Sequence, residues 1–532
     1  MKRRHLNCIQ FGKEYLPPTQ LLIVLGLGLL IRLGLAWLST PTLVQMTIPD
    51  DSFYYFAIAR HMALDGSVSI NGLNLTNGFH PLWLLLISPF YLLFPYSPGI
   101  PLHLALTIGA ILDVVTGLFA YKLVRLLTGN PAAALISVAV YVFNPRAILN
   151  AVSGMETSLN VLSVALFVYA YTVIRRRGPT VRRYVLFGLV GGLLLLARTD
   201  NVFLLSVIYL HAVWTTIRRR SGGGLFISYL VTACLLAPWL LWNYFSFGTL
   251  LQSSGIAVPH VLRELFVLGS GASTTSIIAT SLRQLLRVDI WLLDASCTGL
   301  PPLIGLPLWT VVGLASIKTV YHRRRRESLE NLELVGLLLL ACVLLLVFHV
   351  AIRWFPRSWY FAPLSFVFAV LLGVLVDAGR RDPPGLLWKY RAMVGLLVTE
   401  IFVLIGVLWW PKGLYPWQVE MYQASLWLRR NTPAEARIGS FNSGLQAYFC
   451  DRTVINLDGT VNGEALEAIK QKDLLNYMQE MEIQYIADYT HSIDRMYAPF
   501  YGGEPRLQLL YVIDEEGVAW MQSVIHIYKL LD

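Results

Sequence analysis

Charged residues are scarce in this chain of 532 residues: Asp, Glu, Lys and Arg together make up 14% of positions, while hydrophobic residues reach 56%. Soluble domains carry about a quarter charged residues, so the shortage excludes a water-soluble fold. Cysteine is sparse too. Cys8, Cys234, Cys297, Cys342 and Cys450 are widely spaced and form no CxxC pair or metal-ligand grouping, which excludes a cysteine-based redox or zinc motif. Only Cys297 and Cys450 fall outside the cytoplasm in the topology below, and their spacing gives little support for a disulfide. The chain has no internal repeat and no low-complexity tract. No small-residue cleavage site follows the first apolar run, so the basic stretch Met1 to Gln20 leads into a retained helix rather than a removed signal.

What the chain does have is apolar blocks of about 17 to 25 residues, the length that carries a helix across a hydrocarbon core of ~30 Å. The net charge of +10 does not form a nucleic-acid-binding stripe. Its basic residues sit in short clusters between apolar blocks, the positive-inside pattern. The clusters are Lys2 to Lys13, Lys122 with Arg125, Arg175 to Arg183, Arg218 to Arg220, Lys318 to Arg326 and Arg380 to Arg391, and all are placed in the cytoplasm. The chain must then cross twice between Arg183 and Arg218, as a hairpin of two short helices turning at Arg198, Thr199, Asp200 and Asn201. The apolar run from Pro81 to Phe94 is too short to cross and is placed on the outer surface. About eleven spans result, near 20–38, 102–124, 131–150, 157–174, 184–197, 201–217, 225–244, 301–320, 333–351, 360–379 and 392–410. An odd number puts the N-terminus inside and the C-terminus outside.

From about Leu414 the long apolar blocks stop and charges become regular. Residues 1–410 are therefore expected to form a transmembrane module with a first outer loop over about 39–101, and 411–532 an extracytoplasmic domain. In that domain Arg437 to Phe441, Thr453 to Leu457 and Gln484 to Asp488 read as strands and Glu464 to Met481 as a helix, giving a small α/β unit. Asn456-Leu457-Asp458-Gly459 reads as a turn.

The residues suited to chemistry gather in the outer loops. Pro49-Asp50-Asp51-Ser52-Phe53-Tyr54-Tyr55 puts two adjacent carboxylates beyond the first span. Like charges that close push their pKa values apart, which suits a general base and its partner; an ordinary helix N-cap ahead of Phe53 to Leu64 accounts for them equally well. His80, before Pro81, meets either a phosphate at head-group level or only structural partners. Glu156 falls at the outer end of the third span, where an acid is costly unless paired or solvated; capping the next helix is the alternative. Arg198 with Asp200 is a salt-bridged hairpin tip or a phosphate ligand. Arg353 and Arg357, in Arg353-Trp354-Phe355-Pro356-Arg357-Ser358-Trp359-Tyr360, emerge on the outer face against the positive-inside bias, which an anionic ligand explains better than topology does. Charge bookkeeping thus sends Asp50, Asp51, Glu156 and Asp200, from three separate loops, to one face together with Arg198, Arg353 and Arg357. Acids to activate a hydroxyl and cations to hold a phosphate suit a displacement on a sugar phosphate.

With these residues in view, the chain resembles the GT-C superfamily of polyprenyl-phosphate-sugar-dependent glycosyltransferases, which includes the lipid A aminoarabinose transferases and the protein O-mannosyltransferases. The resemblance covers about Gln20 to Trp410, in span order, the long first outer loop and the short hairpin, and its most specific element is Pro49-Asp50-Asp51 followed by aromatic residues. It implies an α-helical polytopic membrane protein of the GT-C type that inverts configuration while moving a sugar from a polyprenyl-phosphate donor to a glycan, lipid or protein acceptor at the outer face of the cell membrane. By resemblance Asp50 is the catalytic carboxylate, with Asp51 as the second acid and Glu156 as the acid of the second outer loop. His80 stands where some members place a cation near the lipid phosphate. Arg198, Asp200, Arg353, Arg357 and Tyr360 complete the substrate-binding set. A divalent metal ion is compatible with these acids but required by no cluster. The rivals are a transporter or flippase, which calls for inverted repeats and mid-membrane charge, and a non-catalytic envelope assembly protein. In the spans the only charges noted are Arg32, Asp113 and Glu400.

Overall fold

A computed structural model describes residues 18–219, 224–270, 326–351, 357–380, 413–514 and 524–531. Helices α1 (Thr19–Ala36), α5 (Gly99–Thr128), α8 (Thr157–Arg177), α10 (Val202–Arg219, preceded by the short turn Thr199–Asn201) and α11 (Gly224–Phe247) are joined by α13 (Arg326–Ala351) and α14 (Pro363–Arg380). Among the described residues these are the seven long and apolar enough to cross a membrane, or eight with the bent pair described next. The spans expected at 301–320 and 392–410, with Glu400, lie outside the described residues. The expected hairpin is present as α9 (Val181–Ala197) and α10, turning at residues 198–201.

The single span expected at 131–150 is instead α6 (Pro131–Val142) and α7 (Pro145–Ala151), set at 58° to each other. Pro145 has no N–H to continue the helical ladder, and the Asn144 side chain restarts it by accepting from the Ala147 amide at 3.1 Å. The carbonyl of Val142 at the break accepts from the Arg32 guanidinium at 2.9 Å. Arg32 is also paired with Asp113 at 2.6 Å, and the Tyr141 hydroxyl donates to Asp113 at 2.5 Å. The buried charges of α1 and α5 thus neutralise each other at the bend, where an unpaired ion would be costly. Gly28 permits this approach, since a Cβ there would overlap the Val142 side chain.

The loop between α1 and α5, expected to be outer, carries three short helices, α2 (Thr40–Met46), α3 (Asp50–Leu64) and α4 (Pro81–Leu93). The apolar α4 is too short to cross a membrane and buries Trp83, Leu84, Ile87 and Tyr91. Helix α12 (Ser254–Ser270) follows α11 and has no counterpart in the sequence reading.

The C-terminal unit is a five-stranded mixed sheet in the order β2-β1-β3-β5-β4. Its strands are β1 (Arg437–Ser440), β2 (Thr453–Asn456), β3 (Tyr485–Tyr489), β4 (Leu507–Ile513) and β5 (Ile525–Leu530). The three strands nearest the centre of the expectation pair in parallel, and β4 and β5 add an antiparallel edge. Helices α15 (Gln418–Asn431) and α16 (Gly444–Phe449) accompany α17 (Gly463–Gln471) and α18 (Leu474–Glu480). The last two replace the one helix expected over Glu464 to Met481. The break falls at Lys472, which takes a left-handed conformation (φ 57°) without being glycine. The expected turn at Asn456 to Gly459 is present: Gly459 has φ +78° and its amide donates to Asn456 Oδ1 at 3.1 Å.

This domain sits on the first outer loop. Phe53 and Phe56 of α3 pack their rings against Tyr448, and Phe53 also meets Phe449 of α16. Arg60 donates to the Ala447 and Tyr448 carbonyls at 3.0 and 3.2 Å. The Gln418 amide donates to the carbonyls of Val44 and Ile48 at 2.8 and 2.7 Å and accepts from the Asp50 N–H at 2.7 Å. Cys450 is a free, buried thiol; Cys297 lies outside the described residues.

Candidate active site

The two adjacent acids have different surroundings. Asp50 and Asp51 open the first turn of α3, where the helix dipole favours negative charge. Asp50 turns to the C-terminal domain: its carboxylate accepts from the amide of Leu445 at 2.7 Å and of Gly444 at 3.2 Å, at the start of α16. Burial pushes its carboxyl up to about 7, against the pull of those amides and with the charge of Asp51 adding to the rise. Asp51 accepts no hydrogen bond among the described residues. It lines a cavity of about 80 Å³ with Arg357, Trp359, Tyr415, Trp417, Asn442 and Tyr489. Burial raises the Asp51 carboxyl, Arg357 draws it down, and Glu156 pushes it up further.

Arg357 is exposed and forms no ion pair within contact distance among the described residues; its guanidinium lies over the Trp359 ring, 5.7 Å from the centroid. Arg353 lies outside the described residues. Trp359, a residue the sequence reading quoted but did not select, is 3% exposed, and its indole N–H has no hydrogen-bond acceptor among the described residues.

Behind this cavity is a buried charge network. Glu156, fully buried, is ion-paired with Arg198 through one carboxylate oxygen, while its other oxygen has no hydrogen-bond partner among the described residues. Arg198 is also bidentate to Asp200, with its Nη2 at 2.7 Å, and lies over the Tyr360 ring at 5.0 Å. His349 stacks on Tyr360 and stands 3.6 Å from Asp200. His80 Nε2 is 3.8 Å from Glu156. Burial pushes the His80 imidazole down to about 4, more than Glu156 can offset, which favours the neutral ring. The Gln252 amide donates to Phe79 O at 2.5 Å and to His80 Nδ1 at 3.2 Å, which leaves the ring proton on Nε2, facing Glu156.

Backbone geometry brings the two groups together. Ser52 Oγ donates to the Ser153 carbonyl at 2.7 Å and Trp83 Nε1 to that of Gly154 at 2.9 Å. Gly154 has φ +78°, and a Cβ there would press on Phe56 at 2.6 Å. These contacts hold the loop bearing Glu156 against α3 and the acids at its start. On the opposite side of Glu156, Asn77 joins α11 through Asn243 at 3.0 Å.

Among the described residues no three His, Cys, Asp or Glu side chains are grouped to hold a metal ion. Asp458 of the turn after β2 faces the same region. Burial pushes its carboxyl up to about 6 against hydrogen bonds from Thr460, with Asp51 adding a smaller push.

Fold and site together define a helical polytopic membrane protein with a C-terminal mixed-sheet domain. ArnT from Cupriavidus metallidurans bound to undecaprenyl phosphate matches with a TM-score of 0.58 at 12% identity, covering 96% of this chain and 98% of that one. ArnT from the same organism in the apo state matches at 0.57 and 11% identity, with the same coverage. The oligosaccharyltransferase AglB from Archaeoglobus fulgidus, in complex with an inhibitory peptide and a dolichol-phosphate, matches at 0.58 and 13% identity, over 91% of this chain and 71% of that one. Residues 412–523 match a family model described as a domain of unknown function, DUF8728. No curated protein matches the sequence.

Proposed function

We propose that the chain is an inverting glycosyltransferase that moves a sugar from a polyprenyl-phosphate donor to an acceptor hydroxyl on the extracytoplasmic side of the cell membrane, with its N-terminus in the cytoplasm. The observation that carries this reading is Asp51, a carboxylate without hydrogen-bond partners among the described residues that shares a cavity with the exposed cation Arg357. A base must be free to take a proton and a leaving phosphate needs a cation. Of the two acids in Pro49-Asp50-Asp51, Asp51 is the better base, because Asp50 is committed to the amides of Gly444 and Leu445. The likeness to ArnT and AglB structures that hold polyprenyl or dolichol phosphate supports a lipid-phosphate ligand here.

Asp51 takes the proton of the acceptor hydroxyl as its oxygen attacks the anomeric carbon. The bond from that carbon to the phosphate oxygen breaks, the phosphate keeps the electron pair, and Arg357 offsets its charge. Arg353 follows the same chain segment and is assigned the same role. Glu156, Arg198, Asp200, His80 and Tyr360 form the floor beneath the donor.

The test is transfer from a panel of radiolabelled polyprenyl-phosphate sugars in membranes, wild type against Asp51→Asn at matched expression. Loss of transfer in the variant supports the reaction and the base. A wild type that is folded yet consumes no donor of the panel sinks the reading.

A further inference from the structure

The cavity beside Asp51 has two walls of different origin. Pro49, Asp50, Asp51, Arg357 and Trp359 come from the membrane module, whereas Tyr415, Trp417, Asn442 and Tyr489 come from the segment leading into the C-terminal domain and from the domain itself. A lipid-borne donor enters from the membrane. The wall contributed by the domain is the one a water-borne molecule meets first. Resting on the transferase reading, we propose that this wall is the acceptor subsite and that the acceptor is a carbohydrate, which presents a sugar hydroxyl to Asp51.

The chemistry of the wall points to a sugar ring. Trp417 and Tyr415 stand edge to face at 5.9 Å, both half-buried. Tyr489 fixes this pair, since its hydroxyl donates to the Trp417 carbonyl at 3.0 Å. A pyranose has an apolar face of C–H bonds that packs on aromatic rings and a rim of hydroxyls that both donate and accept. The rim finds both kinds of partner here. The Trp359 indole N–H is buried without an acceptor among the described residues, a costly state unless something fills it. The Asn442 side-chain N–H groups are used by Asp488 and Ser492, at 2.8 and 3.2 Å, which fixes the amide; its carbonyl oxygen accepts no hydrogen bond among the described residues. Asp51 supplies the remaining acceptor. An extended peptide would call instead for backbone partners along a strand edge, and a lipid acceptor for an apolar wall.

Full-length protein in nanodiscs is the material for the test. Saturation-transfer NMR with chitopentaose, maltopentaose and mannopentaose, beside a serine- and threonine-rich peptide, is recorded without donor. At least one oligosaccharide is expected to receive saturation at its ring C–H protons. Trp417→Ala should abolish the signal, and Trp359→Phe, which keeps the ring and removes the N–H, should weaken binding about three- to tenfold. Tyr96→Ala, at an exposed position outside the cavity, should leave binding in place. Binding of the peptide alone, or of none of the probes, overturns the carbohydrate assignment. Donor consumption is measured on the same samples: donor cleaved without any oligosaccharide bound removes this inference and spares the transferase reading, and the reverse result removes the transferase reading.

Discussion

The Asp50 carboxylate accepts the Leu445 amide at 2.7 Å across 395 positions of sequence, tying the first outer loop to the C-terminal domain at the residue next to the proposed base. With Asp51 as the proposed base, Asp50 takes a positioning role, and its replacement should loosen the domain rather than remove the proton acceptor. Asp50→Ala should cost about 1–3 kcal/mol by leaving buried amides without an acceptor, read as a lower melting temperature in detergent and faster proteolysis between the two parts. Transfer should fall less than in Asp51→Asn.

The same group gives a pH signature. Its folded-state carboxyl is raised to about 7 from an ordinary value near 3.8, so the protonated form is favoured by folding. That contribution is complete below about 3.8 and is lost as pH rises through about 7. Wild type should gain stability relative to Asp50→Asn when the pH is lowered from 8 to 5. A constant difference across that range would mean the carboxylate is not held in the way described.

How much of this was legible beforehand depended on range. Hydropathy and basic clusters placed most of the described long helices and the 198–201 hairpin, because both signals are local, and missed the bend at 142–145 and the helix Ser254–Ser270. They also sent Asp50, Asp51, Glu156 and Arg198 to one face, and the structure joins Arg198 to Glu156 by an ion pair. What could not be read was which of two adjacent acids is committed, since that depends on Gly444 and Leu445. Trp359 and Tyr489 were missed for the same reason: their meaning comes from a cavity shared by distant segments. The split at Lys472 carried no glycine to mark it, and β4 and β5 had no turn signal strong enough to define an edge pair.

Asp51 should give the transfer reaction an acid limb displaced upward. Its carboxyl is raised by burial and by Glu156, with Arg357 opposing. A base works only when deprotonated, so the rate should fall with decreasing pH at a midpoint above the ordinary carboxylate range. Arg357→Ala removes the opposing cation and should move that midpoint higher while lowering the rate about 10- to 1,000-fold. An unmoved midpoint would separate Arg357 from the acid.

Two variants separate the buried network from the chemistry. Arg198→Ala strips the partner from both Glu156 and Asp200 and should destabilise the protein by about 3–5 kcal/mol, the usual consequence of leaving buried charge uncompensated. Glu156→Gln leaves the Arg198–Asp200 pair intact and should cost less. Equal losses in thermal stability would show that Asp200 does not hold Arg198 by itself.

Glycine 78 offers a test of how the domain is seated that leaves every ionisable group in place. A Cβ on Gly78 would overlap the Thr460 carbonyl and come within 3.0 Å of Ser253 Oγ, and Ser253 donates to that same carbonyl at 2.8 Å. The clash is with backbone of the C-terminal domain, which cannot rotate away as a side chain would. Gly78→Ala should therefore cost about 1–3 kcal/mol and shift the turn bearing Asp458 away from the membrane module. Because Asp51 and Arg357 stay where they are, donor cleavage to water should survive while transfer to an acceptor falls, a split that a uniform loss of folded protein cannot produce.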